Sequence, residues 1–395
     1  MKVLIVHNRY RAGAPGGEDV LVDAECRLLE SAGHEVIRYE RSNDEINQSK
    51  AQEMLAVALQ VRRSSQTDRE LSALVRLHRP DVAHCHNLFP LITASAYDVF
   101  SREKIPVVQT LHNYRLSCAA AIHYRDGREC RDCRSRNPWP AVLHGCYSHS
   151  RLATALVASM IWRNHRDGTI RRKVDRYLVL SEFARRWLVS QGVDNSIIAT
   201  RANWVDAPTE AVSHTGNYFV FSGRLSEEKG LRVLFDAWSR LKDVPLKIVG
   251  DGPLRAELEQ RVRTDKLPIE FVGTLPRSEA LSIVRSAQGL VLPSLWYEGM
   301  PLVILEAWAM GVPVISSRIG GLVEMMGNEE RGLSFAIGDE EALAGAVRRL
   351  IDDRGLVESI RQRARAEYLR RHTPDEGLRS LLAVYESCCS RSGDA

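Results

Sequence analysis

Short, nearly continuous apolar runs recur along this chain, and helix-length segments with 3.6-residue periodicity lie between them. Runs of that kind are buried on both faces, which a parallel sheet flanked by helices provides. Residues 2–7 read as the first strand. Residues 8–17 are a loop holding Gly13, Pro15, Gly16 and Gly17. Residues 18–32 are a helix with Val20, Leu21, Ala24, Leu28 and Leu29 on one face, stopped at Gly33. Further strands are predicted at 35–39, 82–84, 107–110 and 177–180. The polar stretch 206–216, with Pro208 and Gly216, reads as a linker. The rhythm then restarts, with strands predicted at 218–222, 246–249, 269–272, 290–292 and 314–316. Helices are predicted at 231–241, 254–262, 278–286, 301–310 and 341–352. Beyond Pro374, Leu378, Leu381, Leu382 and Tyr385 fall at helical spacing.

The prediction is therefore an α/β chain of two doubly wound parallel-sheet domains, 1–205 and 206–373. A C-terminal helix, 374–395, is long enough to return to the N-terminal domain. A chain of 395 residues, 44% hydrophobic and 26% charged, suits two buried cores and excludes wholesale disorder. No apolar run reaches the roughly 18 residues of a membrane-spanning helix. The run at 3–6 is too short for a signal peptide, so a cytoplasmic protein is expected. A net charge of +4 gives no reason to expect nucleic acid as a partner. The charge is uneven, however: 1–205 holds 30 basic and 22 acidic residues, the remainder 24 and 28. The two halves thus suit different partners. Open α/β sheets bind ligands at the carboxyl ends of their strands, so functional residues belong in the loops that follow strands and face a cleft.

In the second half, the first such loop reads SGRLSEEKG, residues 222–230. Gly223 allows a tight turn, and Arg224 and Lys229 precede a helix N-terminus, a setting that suits a diphosphate. Two solvated surface cations are the plainer alternative. The turns at Gly250 (GDGP, 250–253) and Gly273 (FVG, 271–273) can each expose backbone groups to a base or sugar. Residues 293–306 read PSLWYEGMPLVILE, which sets Glu298 and Glu306 eight positions apart. Ionised carboxylates accept the paired hydrogen bonds that sugar hydroxyls offer. Glu306 lies among Leu302, Val303, Ile304, Leu305, Ala307 and Trp308, where a carboxylate is costly unless it faces a polar site or holds an ion pair.

In the first half, His84, His86 and Asn87 follow one predicted strand, and His112, Asn113, Tyr114 and Arg115 follow the next. Asp19 reads as a charge at a helix start. Four of the 8 cysteines, Cys118, Cys130, Cys133 and Cys146, have C-x11-C-x2-C-x12-C spacing within a basic insertion, 118–146. A closed structural zinc site on four thiolates fits that spacing, with His123, His144 and His149 as substitute ligands. Reduced thiols packed by Trp139 and Tyr147 fit it equally. Residues 151–176 pair an apolar stripe with Arg163, Arg166, Arg171, Arg172, Lys173 and Arg176, which suits either plain packing or an anionic membrane surface.

Taken together, the GR…KG loop, the GDGP turn, the FVG turn and the two glutamates within PS…EG.P…LEA.A.G.PVI resemble glycosyltransferase family 4. The GG loop, GHEV, HNL and LHNY segments of the first half are similar to that family too. The resemblance implies a retaining enzyme of GT-B fold, with two Rossmann-like domains facing a central cleft. It implies that Arg224 and Lys229 bind the donor diphosphate and Glu306 the ribose. Glu298 would contact the transferred sugar, and Gly16 and Gly17 would approach the phosphate. His112 would lie beside the reacting carbon, with Gly250, Gly273, Gly299 and Met300 lining the donor site. No catalytic metal is implied. The implied donor is a UDP- or GDP-sugar, and the implied acceptor is lipid-linked or a saccharide of surface polysaccharide synthesis; the basic first half and the stretch 151–176 suit peripheral contact at the inner membrane leaflet. A sugar-nucleotide epimerase of the same fold and a non-catalytic nucleotide-sugar binding module are the competing readings.

Overall fold

In a computed structural model, described for residues 1–12, 16–46, 60–133, 136–207 and 216–392, the chain divides into two units. The first comprises Met1–His123, Arg131–Ala202 and Gly377–Ala395. The second comprises Tyr124–Cys130 and Asn203–Glu376. The boundary thus falls three residues before the one read from the sequence, and the 118–146 insertion is divided between the units. Most of the expected linker, 208–215, lies outside the described residues, as do Gly13 and Pro15.

The first unit contains the strands β1 (Lys2–Arg9), β2 (Glu35–Ser42), β3 (Val82–Cys85) and β4 (Val107–Leu111). The hairpin β5 (Tyr124–Arg125) and β6 (Arg128–Glu129), which belongs to the second unit, interrupts the series. It is followed by β7 (Arg176–Val179) and β8 (Ile198–Thr200). The sheet order is β2-β1-β3-β4-β7-β8, and every pairing is parallel. Side chains alternate across a strand, and β1 uses both faces. Val3 and Ile5 pack with Val22, Cys26 and Leu29 of the helix Gly17–Ser31 and with Leu381 and Tyr385 of the helix Pro374–Ser392. Leu4 and Val6 pack on the other side with Leu71, Val75, Val99 and Phe100. All four β1 side chains are fully buried, each contributing on the order of 1.5–3 kcal/mol. The C-terminal helix is therefore part of the first unit's core.

The second unit holds β9 (Phe219–Ser222), β10 (Leu246–Val249), β11 (Ile269–Gly273), β12 (Gly289–Leu292), β13 (Val314–Ser317) and β14 (Leu333–Phe335). Their order is β11-β10-β9-β12-β13-β14, again all parallel. The strand order reverses between β9 and β12 here, and between β1 and β3 in the first sheet. Each reversal leaves a crevice at the strands' carboxyl ends, the place where such sheets take ligands. The core centres on Phe219, Phe221, Phe235 and Trp238, whose indole donates to the Val244 carbonyl at 2.9 Å. The edge strands β8 and β14 were not expected, because three residues carry too little pattern to read. The helix Arg354–Arg371 was not expected either, since it buries only Ile360, Ala364 and Tyr368. Among the described residues no helix is long and apolar enough to cross a membrane.

Candidate functional site

In the second unit the loops after β9 and β12 meet at the switch point. Gly230 makes this possible. Its φ is +71°, and a Cβ there would lie 1.8 Å from the Pro293 carbonyl oxygen. The Leu295 amide donates to the Glu228 carbonyl at 2.8 Å and fastens the two loops together. Lys229, just before that glycine, donates from Nζ to Glu298 Oε1 at 2.7 Å. Ser294 Oγ and Trp296 Nε1 donate to the same oxygen at 2.6 and 2.9 Å. Glu298 is 5% exposed, so three donors compensate a buried carboxylate through one of its two oxygens. The ammonium of Lys229 also lies 5.0 Å from the Trp296 ring centroid. Arg224, on the same loop, is exposed.

Bare backbone lines the neighbouring strand ends. The Gly223 amide donates to Val249 at 3.0 Å and the Gly250 amide to Gly273 at 2.8 Å. A Cβ on Gly250 would lie 2.1 Å from the Gly223 oxygen. Glu306, in the helix Leu302–Ala309, accepts from Arg277 Nη2 at 2.7 Å. Sequence reasoning gave Glu306 a ligand role and missed Arg277, which begins the helix Arg277–Ser286. Gly299 and Met300 lie on the loop after Glu298, and Asn203 holds it, donating from Nδ2 to the Met300 carbonyl at 3.0 Å.

In the first unit the loops after β1, β3 and β4 carry the candidate residues. Gly16 caps the helix Gly17–Ser31 and packs against Tyr10, whose ring atom would lie 3.0 Å from an added Cβ. Asp19 accepts from the Gly16 amide at 3.1 Å and contacts His7 Nε2 at 2.8 Å, so it is the helix-start charge expected. His86 Nδ1 and His112 Nε2 are 3.0 Å apart, in rings stacked at 5.3 Å. His84 is fully buried between Thr110 Oγ1 at 2.7 Å and the Tyr385 hydroxyl at 2.8 Å. It is thus a structural histidine, whereas His86 reaches the predicted site. Glu25, which sequence reasoning did not single out, is 1% exposed. It lies 3.1 Å from His84 and 3.4 Å from His86, and accepts from Arg201 Nη1 at 2.8 Å. Burial works against its charge, but Arg201 and His84 hold its pKa well below the usual carboxylate range. Burial lowers His86 to about 3 and, with His86 adjacent, keeps His112 well below the usual imidazole range. Both rings are therefore neutral at pH 7.

A cavity of about 90 Å³ opens beside these groups, lined by His86, His112, Asn113, Arg115, Glu18 and Phe89 among others. The Arg115 guanidinium lies 4.4 Å from the Phe89 ring centroid. Burial, assisted by Asp19, pushes Glu18 up to about 7.

Of the cysteines proposed for zinc, Cys118, Cys133 and Cys146 lie in the first unit, and Cys130 ends the hairpin of the second. Cys133 and Cys146 pack against Val61, Ala141, Val157 and Ile161. Among the described residues, only Glu25, His84 and His86 form a trio with ligand atoms within 4.8 Å of one another. Cys118, Cys133 and Cys146 do not come together at that spacing. The basic stretch forms the helix Arg151–Arg166, which buries Val157, Ala158, Met160 and Ile161. Leu152 is left 76% exposed, and Trp139, Leu143 and Trp162 are also exposed.

Two family descriptions match the chain: Glycosyltransferase Family 4 over residues 15–207 and Glycosyl transferases group 1 over 216–353. Glycogen synthase of Mycobacterium tuberculosis is 38% identical over 37% of this chain and 36% of its own length. The Escherichia coli UDP-Gal:alpha-D-GlcNAc-diphosphoundecaprenol alpha-1,3-galactosyltransferase is 33% identical over 43% of this chain and 46% of its own. The chain thus spans less than half of these curated relatives. Anabaena HepE, solved in complex with UDP and glucose, aligns with a TM-score of 0.68 at 17% identity over 98% of this chain and 100% of that one. At that identity the likeness establishes the fold, which is the GT-B arrangement expected.

Proposed function

We propose that this chain, which belongs to the glycosyltransferases of family 4 and group 1, moves a hexose from a nucleoside-diphosphate sugar to a hydroxyl acceptor with retention of anomeric configuration. The observation that carries the reading is the Lys229–Glu298 pair, set at the switch point of a parallel sheet whose strand ends are glycine backbone. Cleaving the sugar–phosphate bond develops negative charge on the departing diphosphate. Lys229 and Arg224 supply fixed positive charge there, so the reading calls for no catalytic metal. Glu298 keeps one oxygen for sugar hydroxyls, and Glu306, oriented by Arg277, serves the ribose. In the same-face route the C1–O bond to the diphosphate breaks, the acceptor oxygen bonds to C1 on the face the diphosphate leaves, and the departing phosphate oxygen takes the proton of the acceptor hydroxyl.

UDP in the Anabaena neighbour and in the name of the Escherichia coli relative favours a UDP-hexose over a GDP-hexose. The diphosphoundecaprenol in that relative's name favours a lipid-linked acceptor. Exposed Leu152 and Trp162 share a helix with Arg151, Arg163 and Arg166, which suits docking on an anionic inner leaflet. Binding to anionic but not neutral liposomes at low salt supports that docking, and equal failure on both contradicts it.

The transfer itself is tested with UDP-hexoses and a panel of polyprenyl-diphosphate saccharides, reading the anomeric configuration of the product by NMR. An axial product from an axial donor supports the proposal. An inverted product overturns retention, and donor isomerised without acceptor supports the epimerase reading.

A further inference from the structure

The histidines behind the first unit's cavity form an ordered string whose far end is a buried carboxylate. Glu25 lies on the helix Gly17–Ser31, His86 just after β3 and His112 just after β4. The string runs from Arg201 to Glu25 at 2.8 Å, on to His86 at 3.4 Å, and on to His112 at 3.0 Å. We propose that Glu25 and His86 are positioning residues that fix His112 as its Nε2–H tautomer and leave Nδ1 as the nitrogen that accepts a hydrogen bond from a substrate hydroxyl.

The argument is one of donor and acceptor inventory. At 3.4 Å Glu25 makes no hydrogen bond to His86 Nε2, but a ring lone pair turned toward an ionised carboxylate would be repelled, so that nitrogen carries the proton. A neutral imidazole has one N–H, so His86 Nδ1 then has a lone pair. The only hydrogen bond between the rings joins His86 Nδ1 to His112 Nε2, which must therefore be the donor. His112 is neutral as well, so its remaining nitrogen, Nδ1, is an acceptor. Arg201 keeps Glu25 in the ionised form that starts the chain of inference. Arg201 also explains why Glu25, His84 and His86 read as a proton-ordering cluster, since a guanidinium already sits on the carboxylate a metal would need. Without Glu25, either tautomer of the His86–His112 pair would satisfy the contact. The carboxylate breaks that symmetry.

The role of the Nδ1 acceptor in turnover rests on the transferase reading, but the tautomer does not. The test is therefore nitrogen-15 NMR of histidine-labelled full-length protein, which reports the protonation of each ring nitrogen. His112 is expected to carry its proton on Nε2. In Glu25→Gln, whose amide can donate to His86, the His112 signal should move toward the Nδ1–H form. In His86→Phe, which keeps the stacking but removes the acceptor, a mixture of tautomers should appear. Transfer by His86→Phe should fall about tenfold in kcat, with KM for the donor changed less than twofold. An Nδ1–H tautomer in the unmodified protein overturns the proposal, and so does an unchanged Nε2–H signal in His86→Phe. His86→Phe decides the matter even if Glu25→Gln fails to fold. The expected tautomer in a protein with no transferase activity would count against the enzyme reading alone.

Discussion

Lys229 and Glu298, 69 residues apart in sequence, meet at 2.7 Å where the strand order of the second sheet reverses. The lysine comes from the loop after β9 and the glutamate from the loop after β12, so the pair forms only if both loops take their native course. Lys229→Ala removes a charge aimed at the proposed diphosphate and leaves Glu298 with Ser294 and Trp296. A loss of about 10²-fold or more in kcat is expected, on the scale of an oxyanion-hole donor. Steady-state kinetics with the preferred donor checks it, and near-normal kcat would remove Lys229 from the mechanism.

Gly230 holds Lys229 in place through backbone geometry alone. An alanine there must both keep a φ of +71° and clear the Pro293 oxygen. Gly230→Ala should destabilise the second unit by about 2 kcal/mol or more and weaken nucleotide binding with it. Thermal melts with and without UDP test this. An unchanged melting temperature would mean that the loop after β9 has another conformation.

Acid should destabilise the first unit. His86 is held at about 3 by burial, whereas an imidazole in an unfolded chain titrates near 6.5. Below about pH 6.5 the unfolded state takes up a proton that the folded state excludes. Stability is thus full above neutrality and falls as the pH drops from about 6.5 toward 3. Between pH 7 and 5 this one group accounts for about 2 kcal/mol. His86→Phe should flatten that slope in denaturant titrations. A slope unchanged by the substitution would show that other groups set the acid limit.

Arg277 and Glu306 form an ion pair in which the arginine side chain is 49% exposed. The Glu306 side chain is only 12% exposed, however, so Arg277→Ala leaves a nearly buried carboxylate without its counter-charge and should cost about 1–3 kcal/mol of stability. Glu306 also loses its orientation, so UDP affinity should fall several-fold and UDP should raise the variant's melting temperature less than it raises that of the unmodified protein. A large stability loss with unchanged affinity would assign the pair a structural role.

The alternating architecture was legible because strands buried on both faces leave continuous apolar runs, as in Val3 to Val6 and Leu246 to Val249. The two glutamates were legible from their spacing and from the oddity of Glu306 in an apolar helix. Their partners were not. Arg277 approaches Glu306 from another helix and nothing local distinguishes it, while Ser294 lies in the same stretch as Glu298 but reads as an ordinary loop serine. Glu25 was hidden for the same reason: it reads as a helix-surface charge until Arg201, His84 and His86 close around it. The cysteine spacing fits a shared ion and packed thiols equally, since spacing along the chain does not fix where the sulfurs point; Cys133 and Cys146 pack with apolar side chains.

The central claim is that the second unit binds a nucleoside diphosphate through the loops after β9 and β12. Calorimetric titration with UDP, GDP and ADP, repeated on Arg224→Ala and Lys229→Ala, tests it most directly. The account predicts one-to-one micromolar binding of UDP, weakened at least tenfold in each variant. No binding of any of the three, or equal binding by the variants, would contradict it.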